Sequence, residues 1–344
     1  MAAIAGTVLE NAVLMATDRF QQFEKRRPDL GVVGAFTKYG ENLIDAATIK
    51  KNRASARRTQ NIAVLNRQQT TIYDTRSLTH APMGSTSAKV GLNWKTYRFD
   101  VGVTEAINAD NYISASADLA NQLEQGIRDV LLAMDADFTT FTELGKYSAL
   151  PASSLMGISG GAYQTTQKDL WINLPAVMRK LMLQGPYHML SNVEALANLT
   201  NVSTYGQANQ QNLQKLINNY EFGYSPNINP GGSKEAYYAI PTGSVAMVDW
   251  VEYDCRKPGG RGSYDGGEFY DTMTLEFTAL GGEQFSLTFG FRYLGGGQDK
   301  SAILPGLERA YTDSWQLAVD VAPVKAYSSE AGKSPIVKIL ADAV

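Results

Sequence analysis

The chain has 344 residues, a mass of 37.5 kDa, 44% hydrophobic residues and a formal net charge of -3. Its apolar fraction, together with only 19% charged residues, excludes a disordered or fibrous polypeptide. One cysteine, Cys255, and two histidines cannot form an internal disulfide or a structural zinc site built from the protein alone.

The N-terminal stretch predicts an amphipathic helix over residues 2–24. Its apolar residues fall close to one helical face: Val8, Leu9, Val13, Leu14 and Phe20. The stretch lacks the basic start of a signal peptide, and no apolar run approaches the roughly 18 residues that span a bilayer. We therefore expect an unexported protein without a membrane span, in a reducing compartment.

A locally basic segment follows, because no acidic residue occurs between Ala46 and Tyr73. Its basic residues are Lys50, Lys51, Arg53, Arg57, Arg58 and Arg67. Two interpretations remain open for it. The segment is either a solvated, flexible charged stretch or an arm that contacts nucleic-acid phosphates without sequence preference.

Two runs with β character, Ile62–Leu78 and Ala88–Val103, predict an extended hairpin. The turn-forming residues between them include His80, Pro82, Met83 and Gly84, which we expect at the hairpin tip. A two-stranded ribbon is marginally stable alone in water. A ribbon of this length is therefore expected to lie on a neighbouring sheet or on another chain.

The strongest helical pattern covers Tyr112–Leu144. Apolar residues recur there at spacings of three and four: Leu119, Leu123, Ile127, Val130, Leu131, Met134, Phe138 and Phe141. Such a helix would be roughly 45 to 50 Å long. We expect it to act as a rigid spine, since no comparably long partner for a helix bundle is evident.

The rest of the chain predicts a loop over residues 145–168, a helix over Pro175–Gln184 and several strands. Tyr238–Ile240 and Val245–Val251 are expected to be strands of one subdomain. An alternating pair predicts a β-hairpin in which Met273, Leu275 and Phe277 face Phe285, Leu287, Phe289 and Phe291. Ser314–Val321 alternates again, and Ile336–Leu340 is expected to close the sheet.

No catalytic, cofactor or metal constellation emerges from the sequence, so we expect no enzyme. Gly157–Gly161 matches the G-x-S-x-G nucleophile pattern around Ser159, but the strand before it and the helix after it are not predicted. Asp135 and Asp137 point to different sides of the long helix and are expected to be solvated charges. His188 is expected to be a satisfied polar residue at a strand end.

The order of these elements resembles that of tailed-bacteriophage major capsid proteins, the Hong Kong 97-type fold, over nearly the whole chain. The resemblance implies an α+β fold with an N-arm, an extended β-hairpin loop, a long spine helix, and peripheral and axial domains. It places the N-arm at residues 1–60 and the extended loop at 61–104. The peripheral domain with its spine helix would cover 105–168, the axial domain 169–255, and strands returning to the peripheral domain 256–344.

The function that this resemblance implies is mechanical. Hexamers and pentamers of one chain would form an icosahedral shell around double-stranded DNA, assembled in the host cytoplasm and ending in the virion. Lys50, Lys51, Arg53, Arg57 and Arg58 would face packaged DNA, and separate scaffolding, portal and decoration proteins are conceivable partners. Two other functions stay open: an encapsulin-like compartment, and a β-rich phage tail or adhesin module that binds a ligand.

Overall fold

The structure, a computed structural model, describes twelve stretches of the chain. They are residues 2–22, 29–65, 87–103, 114–183, 185–198, 220–256, 270–278, 284–293, 298–299, 309–310, 313–328 and 330–342. These contain α-helices and β-strands in separate layers, which confirms the expected α+β class.

Five α-helices lie in the described stretches: α1 (Ala2–Gln22), α2 (Gly31–Thr37), α3 (Ala46–Ala54), α4 (Ala115–Leu144) and α5 (Leu170–Lys180). Helix α1 confirms the predicted N-terminal helix, and its Val8, Leu9 and Val13 pack against the main core. Leu14, expected on the same face, is exposed instead.

Helix α4 is the predicted spine. It begins at Ala115 because the Oγ of Ser114 accepts a hydrogen bond from the N–H of Ala117, and its 30 residues span about 45 Å. Its apolar stripe is buried as the spacing predicts, from Leu119 through Phe138. The stripe packs on one face of a five-stranded sheet, and this contact forms the main hydrophobic core.

The five-stranded sheet contains β3 (Lys95–Val103), β9 (Val245–Trp250), β10 (Tyr270–Thr278), β11 (Gln284–Tyr293) and β14 (Asp313–Lys325). Strand β14 pairs antiparallel with β3, β9 and β11. The predicted hairpin is confirmed, and its register pairs Met273 with Phe289, Leu275 with Leu287, and Phe277 with Phe285.

A second, six-stranded sheet has the order β4 (Gly157–Ser159), β5 (Ala162–Thr166), β15 (Val337–Asp342), β8 (Glu235–Pro241), β6 (Tyr187–Ser191) and β7 (Tyr220–Tyr224). Helix α5 packs on it through Trp171, Leu174 and Met178. The prediction that this helix begins at Pro175 was wrong, because those three residues bury one continuous face that starts earlier. Pro175 lies inside the helix and removes only its own N–H donor.

Two strands pair differently from the prediction. Strand β9 follows β8 after a three-residue turn but joins the five-stranded sheet beside β14, so the two strands do not share a sheet. Strand β15 lies between β5 and β8 in the six-stranded sheet. Pairing therefore crosses the expected boundary at residue 255. The domain boundaries themselves stay predictions.

The predicted hairpin is described only at its base, where β1 (Asn61–Leu65) pairs antiparallel with β2 (Ser87–Gly91). The second predicted run is two strands rather than one, because β2 ends at Gly91 and β3 enters the five-stranded sheet. Two further short strands, β12 (Gln298–Asp299) and β13 (Arg309–Ala310), pair with each other. The order of arm, ribbon, spine helix, second sheet and returning strands agrees with the resemblance.

Candidate functional site

The basic segment packs on the face of the five-stranded sheet that lies opposite the spine helix. A small apolar cluster holds it there, formed by Ile44, Ile62, Leu92, Ala246, Val248, Ala322 and Val324. Helix α3 contacts β9 in this layer. The basic helix is thus attached to the body of the protein.

Two of the five predicted DNA-facing residues are held in ion pairs. The Nη2 of Arg53 lies 2.7 Å from Oδ1 of Asp249, and the Nη1 of Arg58 lies 3.2 Å from Oδ1 of Asp320. Asp249 and Asp320 are only 5% and 7% exposed. Because a buried carboxylate without a partner is costly, these arginines anchor the segment to the sheet.

The other three residues, Lys50, Lys51 and Arg57, have exposed side chains. Within the described ranges none of them forms an ion pair. We call these three residues the basic patch. No acidic residue lies between Ala46 and Tyr73, so the patch has no acidic neighbour within this stretch of the sequence. The expected hairpin-tip residues His80, Pro82, Met83 and Gly84 lie outside the described residues.

The serine pattern forms a tight hairpin. Strands β4 and β5 pair antiparallel, with Ser159 opposite Ala162, so the expectation of a loop over 145–168 was wrong here. Gly160 and Gly161 have φ values of 59° and 73°, as a two-residue type I′ turn requires. A nucleophile elbow needs a helix after the serine, and a strand follows instead. Ser159 is therefore part of a turn in an edge hairpin.

Asp135 is the residue whose environment the sequence interpretation missed. It was expected to be solvated, but its side chain is 0% exposed and lies between α4, α2 and the loop after β7. Ser225 donates its hydroxyl hydrogen to Oδ2, and Asn227 donates from Nδ2 at 3.1 Å. Asp135 lies four residues after Leu131 and three before Phe138, which places it on the apolar stripe of the helix. This spacing was the feature of the sequence that could have predicted its burial.

Burial is the largest influence on this carboxyl and raises the pKa of Asp135. The hydrogen bonds from Ser225 and Asn227 and from the backbone N–H groups of Val33 and Val32 act in the opposite direction. Burial outweighs them, and the pKa is about 6. Asp135 is therefore mostly ionised at neutral pH in a place that disfavours its charge.

A second polar cluster lies at the C-terminal end of the spine helix. Glu143 contacts Lys146 and Lys338 at 2.5 and 2.9 Å and accepts a hydrogen bond from the hydroxyl of Tyr238. Burial alone would raise the pKa of Glu143, but these three donors outweigh it and lower the pKa to about 2. The cluster joins the spine helix to the six-stranded sheet.

His188 lies fully buried on β6, with its Nδ1 3.2 Å from Oε2 of Glu221 on β7. Among the described residues, no group of three or more histidine, cysteine, aspartate or glutamate side chains could hold a metal ion. In the same part of the chain, no helix combines the length and apolarity needed to cross a membrane.

No family model matches the sequence, and no curated protein matches it significantly. Solved structures are similar at low identity. A structure from Mycobacterium phage Cain has a TM-score of 0.48 and 13% identity, with 92% of each chain covered. The capsid asymmetric unit of cyanophage Pam1 has a TM-score of 0.41 and 11% identity, covering 82% of this chain and 85% of that one.

The SrpI encapsulin complex of Synechococcus elongatus has a TM-score of 0.37 and 10% identity, with 74% of this chain and 75% of that one covered. Likeness at this level concerns the arrangement of the chain and not what it binds. The chain is thus similar to a structure from a mycobacteriophage, to a cyanophage capsid and to an encapsulin.

Proposed function

We propose that the chain is the major capsid protein of a tailed phage, which self-assembles into an icosahedral shell around double-stranded DNA. The shell would be assembled in the host cytoplasm from hexamers and pentamers and would end in the virion. Its contacts would be individually weak and collectively strong, as closed symmetric assemblies of one chain require.

The observation that carries this proposal is the placement of the ribbon formed by β1 and β2. Its base is held by Ile62 and Leu92 in the cluster on the far face of the five-stranded sheet. Within the described residues β1 and β2 pair only with each other, and residues 66–86 lie between them. A ribbon with two open edges is suited to pairing with, or lying on, another copy of the chain.

The spine helix supports the same proposal. Its stripe is buried on the five-stranded sheet, and its Glu143 cluster contacts the six-stranded sheet. The spine helix is therefore a single rigid element that connects the two sheets. A shell protein needs this rigidity, because many copies must hold one curvature.

The direct test is sedimentation and negative-stain electron microscopy of the full chain, expressed alone and together with its neighbouring genes. Closed particles, or rings of five and six copies, are the expected result. A monodisperse monomer or trimer under both conditions would overturn the proposal and favour a ligand-binding tail or adhesin module. Particles that enclose an enzyme instead of DNA would identify an encapsulin-like compartment.

Within the shell, we assign DNA contact to the basic patch rather than to all five basic residues. Arg53 and Arg58 already pair with aspartates, whereas Lys50, Lys51 and Arg57 are exposed cations that can release counterions from phosphates. The test is duplex binding by the triple variant Lys50→Gln, Lys51→Gln, Arg57→Gln at several salt concentrations. Its log–log salt slope should be shallower by up to about 3, close to 0.9 for each lost phosphate contact.

A matched control removes three cations elsewhere, through Lys168→Gln, Arg179→Gln and Lys180→Gln near helix α5. This control should keep the slope of the unmodified chain. Equal slopes for the two triple variants would show that net charge, and not the basic patch, determines binding. Both variants should still form particles, so the result is independent of the assembly test.

A further inference from the structure

Asp135 joins three parts of the molecule that are far apart in sequence. It belongs to the spine helix, while its hydrogen-bond donors Ser225 and Asn227 follow β7 and its backbone donors Val32 and Val33 begin α2. We call these five residues the Asp135 junction. Helix α2 fits tightly there, since a Cβ on Gly31 would lie 2.3 Å from the backbone N of Tyr224.

The charge of this carboxylate is not balanced locally. Among the described residues no cation forms a salt bridge with Asp135, and its Oδ1 has no hydrogen-bond partner. A buried carboxylate without a counterion favours either loss of its charge or access to water. Either change would relieve the unbalanced charge at the junction.

Other titratable groups lie on α2, β6 and β7, next to the junction. They are Asp29 and Lys38 at the two ends of α2, His188 on β6, and Glu221 and Tyr224 on β7. Lys38 and His188 both contact Glu221, at 2.9 and 3.2 Å. Both side chains therefore contact the Glu221 carboxylate.

We propose that the Asp135 junction is a pH-dependent joint between the spine helix and the six-stranded sheet. The joint is closed while the carboxyl is protonated. Ionisation favours an opened arrangement, in which helix α2 and residues 225–227 move away from α4 and water reaches the carboxylate. This joint does not depend on the shell proposal, because it is a property of one chain.

The direction of the pH effect on the joint follows from the direction of the pKa change of Asp135. The pKa of Asp135 is about 6 in the folded chain and 3.8 without burial, so the closed state binds the proton more tightly. Protonation therefore stabilises the closed joint, and this stabilisation is lost as the pH rises from about 4 to above 6. A difference of about two pKa units corresponds to roughly a 100-fold change in the ratio of closed to open joints.

The test is amide hydrogen exchange of the full chain between about pH 5 and pH 8, corrected for the intrinsic exchange rate. Protection of Val32, Val33, Ser225 and Asn227 should fall by about tenfold over this range, because most of the 100-fold change lies between about pH 4 and pH 6. The variant Asp135→Asn carries no charge and should keep high protection throughout. The control Asp129→Asn removes an exposed carboxylate from the same helix and should behave like the unmodified chain.

Two results would overturn the proposal. A pH-independent protection of these amides in the unmodified chain would show that the joint does not open. The same pH profile in Asp135→Asn would assign the change to the contact of His188 with Glu221, which that variant leaves intact. The first measurement needs no variant, so a folding defect in Asp135→Asn would not prevent a decision.

Discussion

Gly126 of the spine helix lies directly against the aromatic ring of Phe99 on β3. A Cβ at position 126 would lie 2.2 Å from Cδ2 of that ring and 2.3 Å from Cε2. The glycine therefore sets how closely the long helix approaches the five-stranded sheet.

The variant Gly126→Ala should lower the free energy of unfolding despite the better helix propensity of alanine. Propensity favours alanine by about 1 kcal/mol, whereas overpacking costs about 1 to 3 kcal/mol, so a net loss of up to about 2 kcal/mol is expected in urea denaturation. Adding Phe99→Leu should recover part of it. Asn121→Ala, at an exposed position of the same helix, should cause no loss, and an equal loss there would contradict the packing explanation.

The anchoring arginines should differ from the basic patch in their effect on stability. Arg53→Gln leaves Asp249 nearly buried without its ion pair, which should cost about 1 to 2 kcal/mol, because Arg53 itself is half exposed. Lys51→Gln should change the free energy of unfolding by less than about 0.5 kcal/mol.

The double variant Arg53→Gln, Asp249→Asn separates the pair from the arginine side chain. Because it removes the unpaired charge, its free energy of unfolding should lie closer to that of the unmodified chain than Arg53→Gln alone does. If the double variant is as unstable as the sum of the two single variants, the ion pair does not anchor the segment.

Glu143 should make part of the stability of the fold sensitive to acid. Its pKa is about 2 in the folded chain against 4.5 for a free glutamate, so its contribution is fully present above about pH 5 and disappears as the pH falls towards 2. Glu143→Gln should therefore be less stable than the unmodified chain at neutral pH and equal to it near pH 2.

The measurement is the free energy of unfolding at several pH values, with Glu276→Gln as the control. Glu276 is exposed on β10 and should show no such difference. A Glu143→Gln variant whose deficit stays constant with pH would indicate lost packing and not lost charge. The opposite sign is expected for Asp135, whose ionisation the fold disfavours.

Shortening the ribbon should separate folding from assembly. Replacing residues 66–86 by Asn-Gly joins β1 and β2 through a two-residue turn of the kind that hairpins favour. The melting temperature should stay within a few degrees, since Ile62 and Leu92 keep the base in place, but sedimentation should show small species instead of particles.

The control for this variant is Gly160→Asn, which alters a two-residue turn far from the ribbon without changing its length. Asparagine accepts the left-handed conformation that Gly160 has. This control should form particles normally. Normal particles from the shortened variant would show that the ribbon does not hold neighbouring copies together.

Local periodicity in the sequence determined several parts of this fold. Spacings of three and four placed the spine helix within a few residues of Ala115–Leu144, and alternation predicted the hairpin that joins β10 to β11. Both patterns arise because each element buries one face, so that apolar residues recur along the sequence at the spacing of a helix or a strand. The basic character of the arm was visible in its composition, since no acidic residue occurs between Ala46 and Tyr73.

Only the tertiary structure decided which segments meet. The pairing of β9 with β14, the place of β15 beside β8, and the division of the five basic residues into anchors and a patch depend on residues far apart in sequence. The burial of Asp135 was also decided by the tertiary structure, because a position in a helix shows which face a carboxylate lies on but not what covers that face. Local propensity cannot predict these contacts, because their free energy comes from surfaces that form only when the chain folds.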